Sequence, residues 1–211
     1  MIKGMQEVNE VMAKAKADLD ANGGLKQVIF VACGGSFASS YPARYLLNQE
    51  SSLRVQGYNS SEFVHATPKS VDQNTLVIGT STKATPETVQ ALQVAKDKGA
   101  VTIGLSGYAD SLTAQTARYY VTYYHADEWY QDPSLVHCNS QGTALKIAFW
   151  LLKEYDHYAY FDQAMEAFEK MRDIYGAAYA AVKPQTAKFA MTYKDDQVWN
   201  VMSSGAAWEV A

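Results

Sequence analysis

The chain has 211 residues, with a hydrophobic fraction of 48% and a charged fraction of 19%, as expected for a packed globular protein. Its formal net charge of -4 gives no support to nucleic-acid binding, which needs a basic field. No apolar run reaches the roughly 18 residues that a membrane span requires. Cys33 and Cys138 lack a CxxC spacing, so we expect reduced thiols, a cytoplasmic protein and no metal site.

Apolar side chains recur at helical spacing over residues 4–21, and Asn22-Gly23-Gly24 ends this predicted helix. Short apolar runs then alternate with helical patterns. The predicted strands are 27–33, 53–59, 75–80, 101–106 and 118–124. The predicted helices are about 37–49, 60–66, 86–98, 110–117, 134–155 and 158–182. This alternation predicts an α/β fold of three layers, with a five-stranded parallel, flavodoxin-like sheet between two layers of helices.

The last residues carry the pattern of another strand, Gln197–Ser203, followed by a turn at Ser204-Gly205. A parallel strand with no following elements cannot cover both of its faces, so we expect a second α/β unit that begins here and is cut short. The alternative is that this strand docks onto the existing sheet or onto a partner chain. The predicted segments are an N-terminal helix at 1–24, a first α/β domain at 25–155, connecting helices at 156–194 and the start of a second domain at 195–211.

The turn after the first strand reads Cys33-Gly34-Gly35-Ser36. Two glycines allow a sharp turn and a close approach of the backbone to a ligand. The following helix begins with unpaired N–H groups that suit an anion, and Ser36 adds a hydroxyl donor. A plain helix-capping serine explains the same residues equally well. The turn lacks the GxGxxG spacing of a dinucleotide site, and GxxxxGK[ST] is absent from the chain.

A second loop, after the strand at 75–80, contains four hydroxyl residues within six positions. These hydroxyl residues are Thr80, Ser81, Thr82 and Thr85. Capping of the next helix by Thr85 explains one of them and leaves three unexplained. Several neutral donors beside a helix N-terminus fit a phosphate dianion. Lys83 lies in the same loop and either adds positive charge or points to solvent.

Other polar residues are weaker candidates. Glu62 follows the second strand and His65 lies three residues later, so the two share a helical face and are the weak candidates for a catalytic role. A solvated or helix-capping role explains Glu62 at least as well, and a structural role is the default for each histidine. Further candidates near the ligand end of the sheet are Cys33, His125, Asp127, Glu128, His137 and Ser140. The histidines are too scattered to predict a metal site.

Three motifs in order, CGGS at 33–36, SEF at 61–63 and TSTKAT at 80–85, resemble those of the sugar isomerase (SIS) domain family. The resemblance covers about residues 25–155. It implies that Gly35, Ser36, Thr80, Ser81, Thr82 and Thr85 bind the phosphate of a sugar phosphate. Lys83 departs from the glycine that the family commonly has in this loop.

Within the family, the sequences CGGS, SSEFVHATP and GTSTKATPETV look most like fructosamine-6-phosphate deglycases, which are similar to the isomerase half of glucosamine-6-phosphate synthase. The resemblance implies two tandem SIS domains, a homodimer, no cofactor and a phosphorylated sugar-amine substrate. It implies release of an amino acid and glucose 6-phosphate through proton transfer between C1 and C2. The family's catalytic glutamate and histidine lie in a Glu-x-x-His-Gly-Pro segment of the second domain. Nothing similar occurs here, so we expect these residues alone to be inactive.

Three alternatives remain open from the sequence. One is aldose–ketose isomerisation or aminotransfer on the same fold. Another is a non-enzymatic sugar-phosphate sensor, although such regulators usually carry a helix-turn-helix module and no basic helix pair is present here. The third is a nucleotide-binding Rossmann-like protein, which the missing glycine fingerprint disfavours.

Overall fold

The computed structural model describes residues 4–123 and 138–198 of the chain. Within these residues, one sheet of five parallel strands forms the centre of the molecule. The strands are β1 (Gln27–Ala32), β2 (Arg54–Asn59), β3 (Thr75–Thr80), β4 (Val101–Ser106) and β5 (Tyr119–Thr122). Their order in the sheet is β2-β1-β3-β4-β5. The α/β class and the flavodoxin-like strand order are therefore confirmed.

Helices precede, connect and follow these strands. The described helices are α1 (Met5–Ala21), α2 (Gly34–Ser39), α3 (Tyr41–Glu50), α4 (Ser60–His65), α5 (Pro86–Asp97), α6 (Leu112–Thr116), α7 (Ser140–Asp156), α8 (Phe161–Glu169) and α9 (Met171–Tyr193). No helix in the described part of the chain combines the length and apolarity needed to cross a bilayer.

The sheet is covered on both faces because alternate strand residues point to opposite sides. Val28 and Phe30 of β1 pack into a core formed with α1, α3 and α7. Ile29 and Val31 face a second core formed with α4 and α5. The strands β1, β3 and β4 are buried along their whole length, which explains why their sequences are continuous apolar runs.

Two helices approach the sheet closely at glycines. A Cβ atom at Gly79 of β3 would lie 2.7 Å from the side chain of Leu92 in α5. A Cβ atom at Gly104 of β4 would lie 2.7 Å from the carbonyl oxygen of Thr113 in α6. The two glycines are register partners in adjacent strands. Glycine at both positions therefore allows α5 and α6 to pack against the sheet backbone.

Some helix bounds differ from the sequence prediction. The helix expected at 37–49 is two helices that meet at Ser40, because Pro42 has no N–H to donate to the preceding turn. The helix expected at 110–117 is shorter, since the Ser111 hydroxyl caps it by accepting from the Ala114 N–H at 3.1 Å. The stretch expected at 158–182 is also two helices, α8 and α9, and the second continues to Tyr193.

Helix α9 has no buried residue along its 23 positions. Its exposed large apolar side chains are Ile174, Tyr175, Tyr179, Val182, Phe189, Met191 and Tyr193. Residues 199–211 lie outside the described part of the chain. The strand predicted at 197–203 and the second domain predicted from 195 therefore stay predictions.

Candidate functional site

The strand β2 lies on one side of β1 and β3 lies on the other. The order of the strands therefore reverses between β1 and β3. In open α/β sheets, ligands bind beyond the carboxyl ends of the strands at this switch point. Ala32, the last residue of β1, pairs in register with Thr80, the last residue of β3. The two loops that the sequence singled out, 33–36 and 80–85, therefore leave neighbouring strands at the same edge.

The loop after β3 is fixed to the end of β4 by three hydrogen bonds. The Ser81 N–H donates to the carbonyl oxygen of Leu105 at 3.0 Å. The carbonyl oxygen of Thr82 accepts from the Gly107 N–H at 3.1 Å and from the Ser106 hydroxyl at 3.1 Å. The backbone on both sides of the Ser81–Thr82 peptide is thus held in place, which preorganises the loop for a ligand.

Ser81 supports the loop from inside. Its side chain is buried, at 2% exposure, and its hydroxyl donates to the Thr85 hydroxyl and accepts from the Thr85 N–H, both at 2.9 Å. Thr85 precedes α5, but its side chain makes no capping hydrogen bond, so the expected capping role of Thr85 is wrong. The N–H of Thr85 itself donates to the Ser81 hydroxyl.

The remaining side chains of this loop differ in exposure. Thr80 is buried in β3, whereas Thr82 is exposed. The Thr82 hydroxyl hydrogen-bonds the Tyr123 phenol at 3.0 Å. Burial raises the pKa of Tyr123, so the phenol stays protonated at neutral pH. Lys83 is exposed, with its Nζ atom 5.5 Å from the centroid of the Tyr108 ring.

Three consecutive main-chain N–H groups of the loop, those of Thr82, Lys83 and Ala84, donate to no acceptor within the residues that the structure describes. They precede α5, a helix of 12 residues with Pro86 in its first turn. Unpaired amides beside a helix N-terminus, where the helix dipole is positive, are an array of donors to which an anion can bind.

The turn after β1 lies next to this array. Cys33 is the N-cap residue of α2, and Gly34 adopts a positive φ of 53°, which favours glycine. Gly35 is exposed, with open space where a side chain would be. Ser36 is half-buried, and its hydroxyl makes no hydrogen bond to any described residue. Because Cys33 occupies the N-cap, the reading of Ser36 as a plain capping serine is wrong.

Glu62 and His65 lie on α4, which follows β2 at the same edge of the sheet. Both side chains are exposed. The helix is capped by Asn59, whose side chain accepts from the Ser61 N–H at 3.2 Å. Neither residue makes a side-chain hydrogen bond to the two loops, so their weak catalytic assignment gains no support from a described contact.

The other candidates are dispersed or lie outside the described residues. His125, Asp127, Glu128 and His137 belong to the segment 124–137, which is not described. Ser140 is the first residue of α7, where Asn139 is the cap and accepts from the Gly142 N–H at 2.8 Å. Within the described residues, no three His, Cys, Asp or Glu side chains form a cluster of the kind that holds a metal ion.

The sequence interpretation missed a cavity of about 370 Å³ at the carboxyl end of β5. Lys146 of α7 lines it and is 1% exposed, with its Nζ atom 3.7 Å from the Cys138 sulfur. Burial lowers the pKa of Lys146, while the neighbouring Cys138 and Glu7 oppose this effect. The signal in the sequence was a lysine inside an apolar helical run, ALKIAFWLL.

Residues 25–151 match the SIS domain family, which is more than half of the chain. The chain belongs to the SIS domain family. It is 32% identical over 189 residues to the fructosamine deglycase of Bacillus subtilis, covering 89% of this chain and 56% of that protein. It is 31% identical over 109 residues to the fructoselysine 6-phosphate deglycase of Escherichia coli, covering 51% of this chain and 30% of that protein. The matched residues thus span little more than half of the first of these relatives and less than a third of the second.

Solved structures share the fold. A Salmonella typhimurium protein assigned as a phosphosugar isomerase superimposes with a TM-score of 0.86 at 32% identity, over 96% of this SIS chain and 59% of its own length. A Bacillus subtilis protein with the same assignment gives a TM-score of 0.83 at 30% identity, over 96% and 63%. The predicted membership of the SIS family is confirmed. Homology to deglycases and isomerases also supports an enzyme family with sugar-phosphate related function.

Proposed function

We propose that the chain binds a phosphorylated sugar carrying an amine, as the phosphate-holding SIS domain of a fructosamine-6-phosphate deglycase. One observation carries the proposal: the unpaired N–H groups of Thr82, Lys83 and Ala84 lie together at the N-terminus of α5. A phosphate dianion accepts several hydrogen bonds, and charge-assisted bonds of this kind are about twice as strong as neutral ones. The similarity to two deglycases supports the choice of sugar.

Two layers of hydroxyl groups assist the amides in this proposal. Ser36 presents a hydroxyl from the neighbouring loop, and Thr82 presents one from the loop itself. Thr80, Ser81 and Thr85 act behind them, because Thr80 and Ser81 are buried and Ser81 is already bonded to Thr85. Gly35 leaves room for the phosphate to approach the backbone. The proposal therefore retains the predicted phosphate site, but Thr80, Ser81 and Thr85 support the loop and do not contact the phosphate.

The proposed reaction moves a proton from C1 to C2 of the open-chain sugar, which converts the ketosamine to an imine at C1. Water then adds to C1 and the C–N bond breaks, which releases the amino acid and leaves glucose 6-phosphate. The phosphate contacts lie away from the bond that changes, so they position the substrate. Carbonyl and imine groups of the substrate itself stabilise the intermediate, and the proposal needs no cofactor. These 211 residues lack the Glu-x-x-His-Gly-Pro segment that holds the main acid and base of the family, and Glu62 and His65 are the weak candidates within them. The 211 residues alone then bind substrate without turning it over.

The proposal extends to the assembly and its place in the cell. Helix α9 exposes seven large apolar side chains, and the proposal is that a second copy of the chain covers them in a homodimer. Cys33 and Cys138 form no disulfide in the described part of the chain, which supports a reducing, cytoplasmic setting.

Calorimetry with the 211-residue chain tests the proposed function. Glucose 6-phosphate and inorganic phosphate are expected to bind and to compete, and glucose is expected not to bind. Ser36→Ala is expected to weaken glucose 6-phosphate binding about tenfold, because it removes a hydrogen bond to a charged group worth about 1.5 kcal/mol. Ser70→Ala, near the opposite edge of the sheet, is the matched control and leaves the affinity unchanged. Equal affinity for glucose and glucose 6-phosphate would refute the proposal.

A second comparison separates deglycation from isomerisation. Fructoselysine 6-phosphate is expected to bind more tightly than fructose 6-phosphate, because its amine-linked group adds contacts. Equal binding of the two ligands would favour an aldose–ketose isomerase or a sugar-phosphate sensor instead.

A further inference from the structure

Ser60 and Thr88 form a buried pair of hydroxyl groups between α4 and α5. Both residues are 0% exposed, and their hydroxyl oxygens share a hydrogen bond at 2.9 Å. Ser60 is the first residue of α4, and Thr88 is in the first turn of α5. The bond therefore ties together the N-terminal turns of two helices, through residues that are 28 positions apart in the sequence.

The pair joins helices that lie on either side of β1. Helix α4 follows β2 and helix α5 follows β3, and β1 lies between those two strands in the sheet. Both helices pack on the same face, in the second core with Ile29 and Val31 of β1. The turn at 33–36 continues from β1, so it leaves the sheet between the N-termini of α4 and α5. The bond between Ser60 and Thr88 therefore restrains the separation of the two helices beside this turn.

Thr88 is also connected to the loop 80–85. Its N–H donates to the carbonyl oxygen of Thr85 at 3.0 Å. Thr85 in turn bonds to the Ser81 hydroxyl through both its N–H and its own hydroxyl. Continuous hydrogen bonds thus connect Ser60 to Ser81. Ser81 immediately precedes the three amides that donate to no described residue, so the position of α4 bears on the position of those amides.

Helix α4 is itself fixed at its beginning and at its centre. Asn59 caps it by accepting from the Ser61 N–H at 3.2 Å. Phe63 is fully buried in the second core, with its ring centroid 6.0 Å from that of Tyr58. Because α4 is held at these two points, the hydroxyl bond from its first residue restrains the first turn of α5.

We infer that Ser60 and Thr88 are positioning residues of the proposed phosphate site, an inference that rests on the proposed function. Their shared bond holds the first turn of α5 where the loop amides and the Ser36 hydroxyl reach one phosphate group. Neither hydroxyl contacts the ligand, because both are fully buried. Donors that are held in place before binding lose less conformational freedom when the ligand arrives, so the bond increases the affinity.

Calorimetry with glucose 6-phosphate tests this role in Ser60→Ala, Thr88→Val and the double variant of the 211-residue chain. Each is expected to bind about threefold to fivefold more weakly than the parent chain, since the loss is limited to the net contribution of one neutral hydrogen bond. The double variant is expected to be no weaker than either single variant, because the two hydroxyls share one bond. Thr88→Ser keeps the hydroxyl and is expected to keep the parent affinity.

Urea unfolding of the same variants separates positioning from a purely structural role. Each single variant leaves one buried hydroxyl without its partner and is expected to be less stable than the parent chain. The double variant removes both hydroxyls and is expected to recover most of that stability. With a purely structural role, affinity would follow stability and would recover as well. Parent-like affinity of the double variant would therefore overturn the inference.

Thr102→Val is the matched control. Thr102 is also fully buried, and its hydroxyl accepts from the Arg118 N–H at 2.9 Å. It lies near the start of β4, away from the carboxyl edge of the sheet. This variant is expected to lose stability and to bind glucose 6-phosphate as the parent chain does. A loss of affinity as large as that of Thr88→Val would contradict a specific role for the pair.

The parent chain distinguishes failure of this inference from failure of the proposed function. If the parent chain binds glucose 6-phosphate and the Ser60 and Thr88 variants bind it equally well, the positioning role is wrong and the phosphate site stands. If the parent chain does not bind glucose 6-phosphate, the proposed function is wrong and the positioning role is wrong with it.

Discussion

Replacement of Ser81 by alanine is expected to destabilise the chain as well as to weaken phosphate binding. The Ser81 hydroxyl makes two hydrogen bonds to Thr85, one to its N–H and one to its hydroxyl, both at 2.9 Å. Each such bond contributes about 0.5–1.5 kcal/mol. Because Thr85 is half-buried, water can replace part of the lost bonding. We therefore expect a loss of about 2 kcal/mol in the free energy of unfolding.

Urea unfolding of Ser81→Ala and Ser36→Ala, measured beside the parent chain, tests this distinction between support and ligand contact. The Ser36 hydroxyl bonds to no described residue, so its removal is expected to change the unfolding free energy by less than about 0.5 kcal/mol. Both variants are expected to bind glucose 6-phosphate more weakly. A Ser81→Ala chain as stable as the parent would refute the supporting role of Ser81.

Two further changes test the fold around the site. Gly79→Ala is expected to lower the free energy of unfolding in urea by about 1–3 kcal/mol, because the new Cβ would lie 2.7 Å from the fully buried Leu92. Gly176→Ala is the control, since Gly176 lies in open space on α9 and its replacement is expected to cause no loss of stability. Asp156→Asn is expected to cost about 1 kcal/mol at neutral pH, since the carboxylate accepts from the Ser51 hydroxyl at 2.7 Å. Burial raises the pKa of Asp156, but hydrogen bonds outweigh it and lower the pKa, so this stabilisation is present above the ordinary carboxyl pKa and is lost as the pH falls through the lowered value. Equal stability of the parent and Asp156→Asn at neutral pH would contradict this account.

The strands and the position of the two loops followed from local sequence. Runs such as TLVIGT at 75–80 are buried on both faces, and their apolar character is independent of what covers them. Since all strands are parallel, the loops after β1 and β3 had to lie at one edge. The motifs at 33–36 and 80–85 were therefore predictable as neighbours from the sequence alone.

The roles of individual hydroxyls could not be read in the same way. Capping of α5 by Thr85 was a sound local expectation, but the Thr85 hydroxyl accepts from the Ser81 hydroxyl, and the Thr88 N–H donates to the Thr85 carbonyl oxygen. Lys146 shows the same limit. A lysine in a helix usually extends to solvent, and its burial here depends on α1 and β5, which are more than twenty residues away in sequence.

Gly79 of β3 and Gly104 of β4 influence where the helices lie relative to the carboxyl edge of the sheet. Gly79 and Gly104 are neighbours in adjacent strands, and neither has a side chain. The helices α5 and α6 therefore approach the backbone of the sheet closely at these two positions. The distance between α5 and the sheet at Leu92 also affects the position of the first turn of α5, because the helix is a continuous element. The contact of Leu92 with Gly79 therefore helps to set where the N-terminus of α5 lies beside the loop that β4 holds in place.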